Sequence, residues 1–126
     1  MNGNEISKIV VAAAVEAHRT LGGSGLLERV YEEALAHELA GRGVCVERQK
    51  EVPIRYKGAL LATPLRLDLL VAGLVIVECK ATTHYNAVFE AQTLTYLRLT
   101  NLRLGLLINF GETLVKHGIH RVVNRL

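Results

Sequence analysis

The stretch 65–83, "LRLDLLVAGLVIVECKATT", decides the fold, because it combines the composition of two buried strands with three ionisable side chains. Leucine, valine and isoleucine dominate the stretch, and an Ala-Gly pair at 72–73 divides it near the middle. Asp68, Glu78 and Lys80 nevertheless lie inside it. Charged groups in a buried strand are costly unless they are paired or bound to a metal ion. These three residues therefore need a partner or a function.

The spacing of the three charged residues predicts where they meet. Glu78 and Lys80 are two residues apart, so they share one face of a strand. A hairpin whose loop is 72–74 places Asp68 opposite Glu78, with the two Cβ atoms about 5 Å apart. A two-residue loop would instead place Asp68 opposite Val77 and separate the carboxylates. The predicted geometry therefore requires the three-residue turn or a bulge.

Two carboxylates this close repel each other unless one is protonated or a cation lies between them. Carboxylate oxygens are suitable ligands for Mg²⁺ or Mn²⁺. Lys80 can neutralise one carboxylate, or hold and activate a water molecule beside the ion. Two carboxylates and a lysine around a divalent ion are suited to phosphodiester hydrolysis. The alternative is a buried ion pair between Lys80 and one acid, which has no catalytic role and costs stability relative to apolar residues.

The rest of the chain predicts an α/β fold, an α+β arrangement with a mixed sheet. Hydrophobic periodicity indicates helices and alternation indicates strands. The predicted elements are helices over 5–21, 26–42 and 87–99, and strands within 44–58, 60–71, 74–80 and 101–110, followed by a short strand or hairpin. The unit 74–109 is a strand-helix-strand crossover, which makes a right-handed parallel pair.

Two helices supply further polar candidates. Gln92 and Tyr96 are four residues apart, so they project from one side of the third helix and can position a water molecule or a phosphate. The apolar stripe predicted for that helix consists of Val88, Ala91, Leu94 (or Thr95) and Leu99.

The second helix carries Glu28, Glu32 and Glu33. Glu28 borders the apolar face, and Glu33 is expected to be exposed. A carboxylate on this helix that turns toward the strand ends can complete a metal site, and the alternative is a surface glutamate.

Charge and composition limit the cellular setting. The net charge is +3, and the basic excess lies after residue 43, which suits a polyanionic partner or equally a solubilising surface. The two cysteines form neither a disulfide framework nor a metal-ligand spacing. The first residues lack the pattern of a signal peptide, and no apolar run approaches the roughly 20 residues of a membrane span. We therefore expect a cytoplasmic protein without a membrane partner.

Several short motifs of the sequence resemble those of a known family. Asp68 followed by Glu78-Cys79-Lys80 is similar to the signature of the PD-(D/E)XK nuclease superfamily, and "QTLTY" (92–96) resembles the Gln-x-x-x-Tyr motif of its exonuclease-like branch. "GLLERVY" (25–31) resembles the motif that names the small bacterial GxxExxY family of that superfamily. The similarity extends from about residue 6 to 124. One departure is Leu67, which stands where the superfamily name has proline.

The resemblance implies a restriction-endonuclease-like α-β-β-β-α-β core with an extra N-terminal helix, as a single nuclease-like domain over 1–126. It also implies an ion site of Mg²⁺ or Mn²⁺ with Asp68 and Glu78 as ligands. The carbonyl of Cys79 would be a further ligand, and Glu28 would be the helix carboxylate of the site.

The resemblance further implies that Lys80 orients or deprotonates the attacking water, and that Gln92 and Tyr96 support the substrate or the lysine. The predicted function is that of a metal-dependent nuclease with nucleic acid as its partner, DNA in preference to RNA. The alternative is a catalytically silent module on the same fold that binds nucleic acid or forms a homodimer. The 50% apolar content leaves room for a homodimer contact.

Overall fold

The computed structural model describes residues 1–125 and shows the predicted mixed α/β class. A five-stranded sheet is its centre, with helices on both faces. In chain order the elements are α1 (Gly3–Thr20), α2 (Glu28–Gly41), β1 (Val46–Val52), β2 (Arg55–Tyr56), β3 (Ala59–Leu60), β4 (Leu65–Val71), β5 (Val75–Lys80), α3 (Val88–Thr100), β6 (Leu104–Asn109), a 3₁₀ helix (Val115–Gly118) and β7 (Ile119–Val123). None of the helices within residues 1–125 is long and apolar enough to cross a membrane.

The sheet has the strand order β1-β4-β5-β6-β7. Neighbouring strands are antiparallel except β5 and β6, which are parallel and are joined by the α3 crossover. The predicted crossover unit is therefore confirmed. Strands β2 and β3 form a separate two-stranded hairpin. Because residues 59–60 pair in that hairpin, β4 begins only at Leu65, later than the strand predicted over 60–71.

Helix α1 begins with a capping box. The side chain of Asn2 accepts a hydrogen bond from the backbone N–H of Glu5 (2.9 Å), and Glu5 accepts one from the N–H of Asn2 (3.2 Å). Both satisfy backbone donors that a helix start leaves unpaired. The buried face of α1 carries Ile6, Val10 and three alanines, and these small side chains let α1 and α2 pack on the same side of the sheet.

The core consists of two clusters, one on each face of the sheet. Leu69 and Val71 of β4 pack in the cluster of α1 and α2, whereas Leu65 and Leu67 pack with Ile76 in the cluster of α3. A regular strand would place all four on one face, because their spacing is two. Strand β4 therefore changes faces at the one residue between the two pairs, Asp68.

The stripe predicted for α3 is wrong in most positions. Val88 is 56% exposed and Leu99 is 47% exposed, and the side chains that are buried belong to Thr93 and Leu97. The reason is Gly105 of β6, where a Cβ atom would lie only 2.9 Å from Cγ2 of Thr93. The glycine lets the helix approach the sheet at a polar residue. The Thr93 hydroxyl is satisfied because it donates to the carbonyl of Phe89 at 2.9 Å.

The segment after β5 is held by a side chain at the end of β6. Asn109 accepts hydrogen bonds from the N–H groups of Thr82 and Gly111, both at 3.0 Å, and donates one to the carbonyl of Thr82, also at 3.0 Å. The neighbouring Gly111 lies so close that a Cβ atom there would be 2.3 Å from the Thr82 oxygen. These contacts fix the chain two residues after Lys80.

We predict that Gly111→Ala destabilises the protein by roughly 1–3 kcal/mol, because the added methyl group must displace the backbone of Thr82. The measurement is urea-induced unfolding followed by circular dichroism. Gly41→Ala is the matched control, since nothing lies within 4 Å of a Cβ atom at the end of α2. Equal stability of Gly111→Ala and wild type would contradict the close contact.

Candidate active site

The hairpin of β4 and β5 has the predicted three-residue turn. Val71 pairs with Val75, and Leu69 pairs with Val77, so 72–74 is the loop. Residue 72 (φ 55°) and residue 73 (φ 66°) both adopt left-handed backbone conformations in the turn. Continued by one step, this register would set Asp68 opposite Glu78, but the ladder ends at Leu69 and Val77. The predicted three-residue turn is confirmed.

The two carboxylates do not simply face each other, because each is bound to the backbone of the opposite strand. Oε2 of Glu78 accepts a hydrogen bond from the N–H of Asp68 at 2.9 Å. Oδ2 of Asp68 accepts one from the N–H of Cys79, also at 2.9 Å. We call this pair of contacts the crossed carboxylates. They take the place of backbone ladder bonds and hold both acids in fixed positions at the point where the strands stop pairing.

Glu78 is almost fully buried, with 6% of its surface exposed. Burial raises its pKa to about 8, and the nearby charge of Asp68 adds to this shift. The hydrogen bond from the backbone of Asp68 and the charge of Lys80 oppose it. Without a cation, Glu78 therefore holds a proton over much of the pH range in which carboxylates are normally ionised.

Lys80 lies beside this pair but is not locked to it. Its Nζ atom is 4.6 Å from the centre of the Phe89 ring, a cation–π contact with the start of α3. Among residues 1–125, no ion pair of 4.0 Å or less involves Lys80. The closed ion pair, which was the alternative without a catalytic role, is therefore absent from the described part of the chain.

The other predicted site residues, Tyr96, Gln92 and Cys79, differ in their burial and in how they relate to the crossed carboxylates. Tyr96 is half-buried on α3, and burial followed by the charges of Glu78 and Asp68 raises its pKa, so its phenol lies within their field. Gln92 is one turn earlier on the exposed surface of the same helix. Cys79 is completely buried, and it brings its backbone to the site while its thiol faces the core of α1 and α2.

Glu28 is the first residue of α2 and is exposed. Partial loss of water contact raises its pKa, the charge of Lys80 lowers it, and the charges of Asp68 and Glu32 raise it further. Glu28 therefore lies within electrostatic reach of the lysine and of the strand carboxylate.

Tyr31 and Gly25, which with Glu28 are the named positions of the GxxExxY motif, support the start of α2. The Tyr31 ring stacks on Phe110 at 4.8 Å between ring centres. Its hydroxyl donates to the carbonyl of Gly23 (2.6 Å) and accepts from the N–H of Leu26 (3.1 Å). Gly25 has a φ of 112°, a conformation that side chains disfavour. Together they fix the loop that leads to Glu28.

Glu32 was one of three candidate carboxylates on the second helix without an assigned role, and no sequence pattern indicated Gln49. Glu32 is 5% exposed and is bound by Arg48 (3.2 Å) and by Nε2 of Gln49 (2.8 Å). The same Nε2 lies 3.5 Å from Oδ1 of Asp68, so the amide stands between two carboxylates. Burial and the charge of Asp68 raise the pKa of Glu32, and the contacts with Arg48 and Gln49 lower it. The signal for Glu32 is its spacing, since it precedes Leu35 and Leu39 on the buried stripe of α2.

Gln49 also has an unusual backbone. Its φ is 48°, the left-handed region that non-glycine residues rarely adopt inside a strand. Arg48 pairs with Leu69 and Lys50 pairs with Leu67, so Gln49 lies opposite Asp68 but outside the ladder. The core packing of β1 changes faces here as well, with Val46 in the α1 and α2 cluster and Val52 in the α3 cluster. The two strands are therefore irregular at the same level.

A divalent ion fits the crossed carboxylates by its chemistry. Asp68 and Glu78 offer hard oxygen ligands, and their mutual repulsion is what a cation relieves. In the part of the chain that the structure describes, no group of three or more His, Cys, Asp or Glu side chains could hold a metal ion. A site with two carboxylates suits Mg²⁺, which usually keeps several water molecules and takes further oxygens from substrate phosphates.

Residues 4–122 match the family described as the PD-(D/E)XK nuclease superfamily, and the chain belongs to this superfamily. Its sheet and helices are consistent with a restriction-endonuclease-like fold. Membership implies phosphodiester hydrolysis with nucleic acid as substrate, and members typically use divalent metals. No curated protein and no solved structure matches the chain.

The shifted pKa of Glu78 predicts how stability depends on pH without divalent ions. Its pKa is about 8 in the folded protein and 4.5 ordinarily, so between these values the folded state retains a proton that the unfolded state releases. The free energy of unfolding should therefore fall as pH rises through this window, by at most about 1.4 kcal/mol per pH unit. The measurement is urea unfolding in EDTA at several pH values.

Glu78→Gln is the control, because its amide resembles the protonated acid at every pH. Its stability should depend less on pH than that of wild type. Parallel pH profiles for the two proteins would show that Glu78 titrates normally.

The Gln49 amide, which lies between Glu32 and Asp68, gives a further prediction about stability. Gln49→Glu keeps the shape but replaces a donor by a third carboxylate, so we expect a loss of about 1–3 kcal/mol of stability at pH 8 and a smaller loss at pH 5. Thermal unfolding at both pH values measures it. The same exchange at exposed Gln92 should change stability by no more than about 0.5 kcal/mol, and equal effects at both positions would refute the bridging role.

Proposed function

We propose that this chain is a divalent-metal-dependent nuclease of the GxxExxY branch that hydrolyses DNA in preference to RNA, with residues 1–126 forming one nuclease-like domain. The observation that carries the proposal is the crossed carboxylates with Lys80 beside them and free of any acidic partner among the described residues. In a purely structural ion pair, Lys80 would neutralise one of the acids directly. Here Glu78 is buried next to the charge of Asp68, and the Lys80 ammonium group contacts the Phe89 ring.

In this proposal Asp68, Glu78 and the carbonyl of Cys79 hold Mg²⁺ or Mn²⁺. Glu28 forms no three-acid metal group with them among the described residues, so it acts on the site from the start of α2 through its charge. The ion, when bound, would supply a Lewis acid that stabilises charge on the phosphate during hydrolysis. The hydrogen bonds to the opposite strands keep Asp68 and Glu78 from relaxing apart, so the two acids stay close at little cost during binding.

Lys80 orients the attacking water or removes its proton. The Phe89 ring restrains its ammonium group, which limits the number of positions that the long side chain samples. Tyr96 remains protonated because its pKa is raised, so its phenol is a hydrogen-bond donor for a phosphate oxygen or for the lysine. Gln92, exposed one turn away, contributes an amide to the substrate.

The test is a cleavage assay with Mg²⁺ or Mn²⁺ on linear, nicked and single-stranded DNA and on RNA. Lys80→Ala should lower the rate by a factor of about 10²–10⁴, the usual contribution of a group that transfers or positions a proton. Lys8→Ala is the matched control, since it removes an exposed lysine from α1, and it should leave the rate unchanged.

Equal cleavage rates for wild type and Lys80→Ala under all these conditions would refute the nuclease proposal. Binding of nucleic acid without cleavage would favour the silent binding module instead. A metal-dependent rise in thermal stability that Asp68→Asn abolishes would support the ion site separately from activity.

A further inference from the structure

The hairpin of β2 and β3 is outside the main sheet and buries little of its own surface. It consists of the pairs Arg55 with Leu60 and Tyr56 with Ala59, closed by the hydrogen bond from the N–H of Leu61 to the carbonyl of Ile54 (2.9 Å). All residues over 55–64 are exposed. An isolated two-stranded hairpin is only marginally stable in water, so this segment is poorly explained by its own packing.

The side chains of the hairpin are those of a contact surface for an anion. Tyr56 is 59% exposed and Leu60 is 60% exposed. The segment 53–64 carries Arg55 and Lys57 and contains no acidic residue. Within residues 1–125 neither cation has an acidic partner within 4.0 Å, whereas nearby Arg66 is paired with Glu51 at 2.9 Å.

The turn places one of these cations at the tip against local preference. Lys57 has a φ of 50° and Gly58 has a φ of 83°, so the two-residue turn has both central residues in the left-handed region. Such turns favour Asn-Gly or Asp-Gly, since lysine adopts this conformation at a cost. The Nζ atom of Lys57 is 5.4 Å from the Tyr56 ring centre, so the tip presents a cation and an aromatic face together.

The hairpin projects from the end of the sheet that carries the crossed carboxylates. Val52, the last residue of β1, pairs with Leu65, the first residue of β4. Asp68 is three residues beyond Leu65 along β4, so the backbones of Leu65 and Asp68 are about 10 Å apart for a strand rise of roughly 3.3 Å per residue. Ile54 at the hairpin base packs in the same cluster as Tyr96, which links the hairpin to the α3 side of the site.

From this placement we infer that residues 54–61 form an arm that holds the nucleic-acid substrate beside the crossed carboxylates, with Arg55 and Lys57 on phosphates and Tyr56 against a base or sugar. The inference rests on the proposed function for its ligand. A cation on a phosphate and an aromatic ring on a base are the two kinds of contact that bind nucleic acid without reading its sequence. The arm therefore predicts binding with little sequence preference.

The experiment measures the affinity for a fluorescein-labelled DNA duplex and for its single strand by fluorescence anisotropy over a series of salt concentrations. Lys80→Ala is the background in buffer with Mg²⁺, to suppress cleavage. Lys57→Gln should weaken binding and lower the slope of log affinity against log salt by about 0.9 for the duplex and about 0.7 for the single strand, the value of one phosphate contact. Lys8→Gln on α1 should leave the slope unchanged.

Tyr56→Thr tests the aromatic contact and keeps a residue that favours strands. It should weaken binding to the single strand more than binding to the duplex, and should leave the salt slope unchanged. The same salt slope and affinity for Lys57→Gln and Lys8→Gln would overturn the inference. A loss of self-association in Leu60→Ser, with DNA binding unchanged, would assign the hairpin to a contact between two copies and overturn it as well.

The two proposals fail separately. If wild type cleaves DNA and the hairpin variants bind DNA as the Lys80→Ala background does, the arm is refuted and the nuclease proposal stands. If Lys57→Gln changes the salt slope but wild type cleaves nothing, the arm is supported and the nuclease proposal falls.

Discussion

The rest of the site depends on one exchange of hydrogen bonds, in which the carboxylates of Asp68 and Glu78 each accept a backbone N–H from the opposite strand. A regular antiparallel ladder would join those N–H groups to carbonyls. Because side chains replace the carbonyls, the strands stop pairing at this level without leaving a buried donor unsatisfied. Both acids are thereby held where the ladder of β4 and β5 ends, and Glu78 is buried next to the charge of Asp68.

The neighbouring strand is adapted to the same interruption. Gln49 lies opposite Asp68 in a left-handed conformation, and the residues on either side of it keep their register. A backbone in this region is unfavourable for glutamine and persists where the surroundings compensate for it. The compensation visible here is the amide, which contacts Glu32 at 2.8 Å and Asp68 at 3.5 Å. The amide separates a buried helix acid from the strand acid, so the crowded carboxylates do not meet directly.

The sequence was sufficient for the features that local rules govern. The requirement that Asp68 and Glu78 converge predicted the three-residue turn over 72–74, whereas the Ala-Gly pair alone left a two-residue turn open. The sequence was insufficient where two elements approach each other. The stripe of α3 was predicted from apolar residues alone, but Gly105 lets the helix pack through Thr93. Glu32 lies on the buried stripe of α2, yet its partners Arg48 and Gln49 come from another strand. No periodicity in the chain indicates that Gln49 leaves the ladder.

The buried position of Glu78 connects the fold to the proposed chemistry through a competition between protons and metal ions. Its raised pKa means that the metal-free protein relieves the repulsion from Asp68 by holding a proton. A divalent cation relieves the same repulsion, and it requires the ionised carboxylate as its ligand. The fold therefore offers one position to two kinds of positive charge, and protonation opposes ion binding below about pH 8. An apolar residue at 78 would remove the buried acid, but it would leave the N–H of Asp68 without its acceptor and would deprive the ion of its second carboxylate ligand.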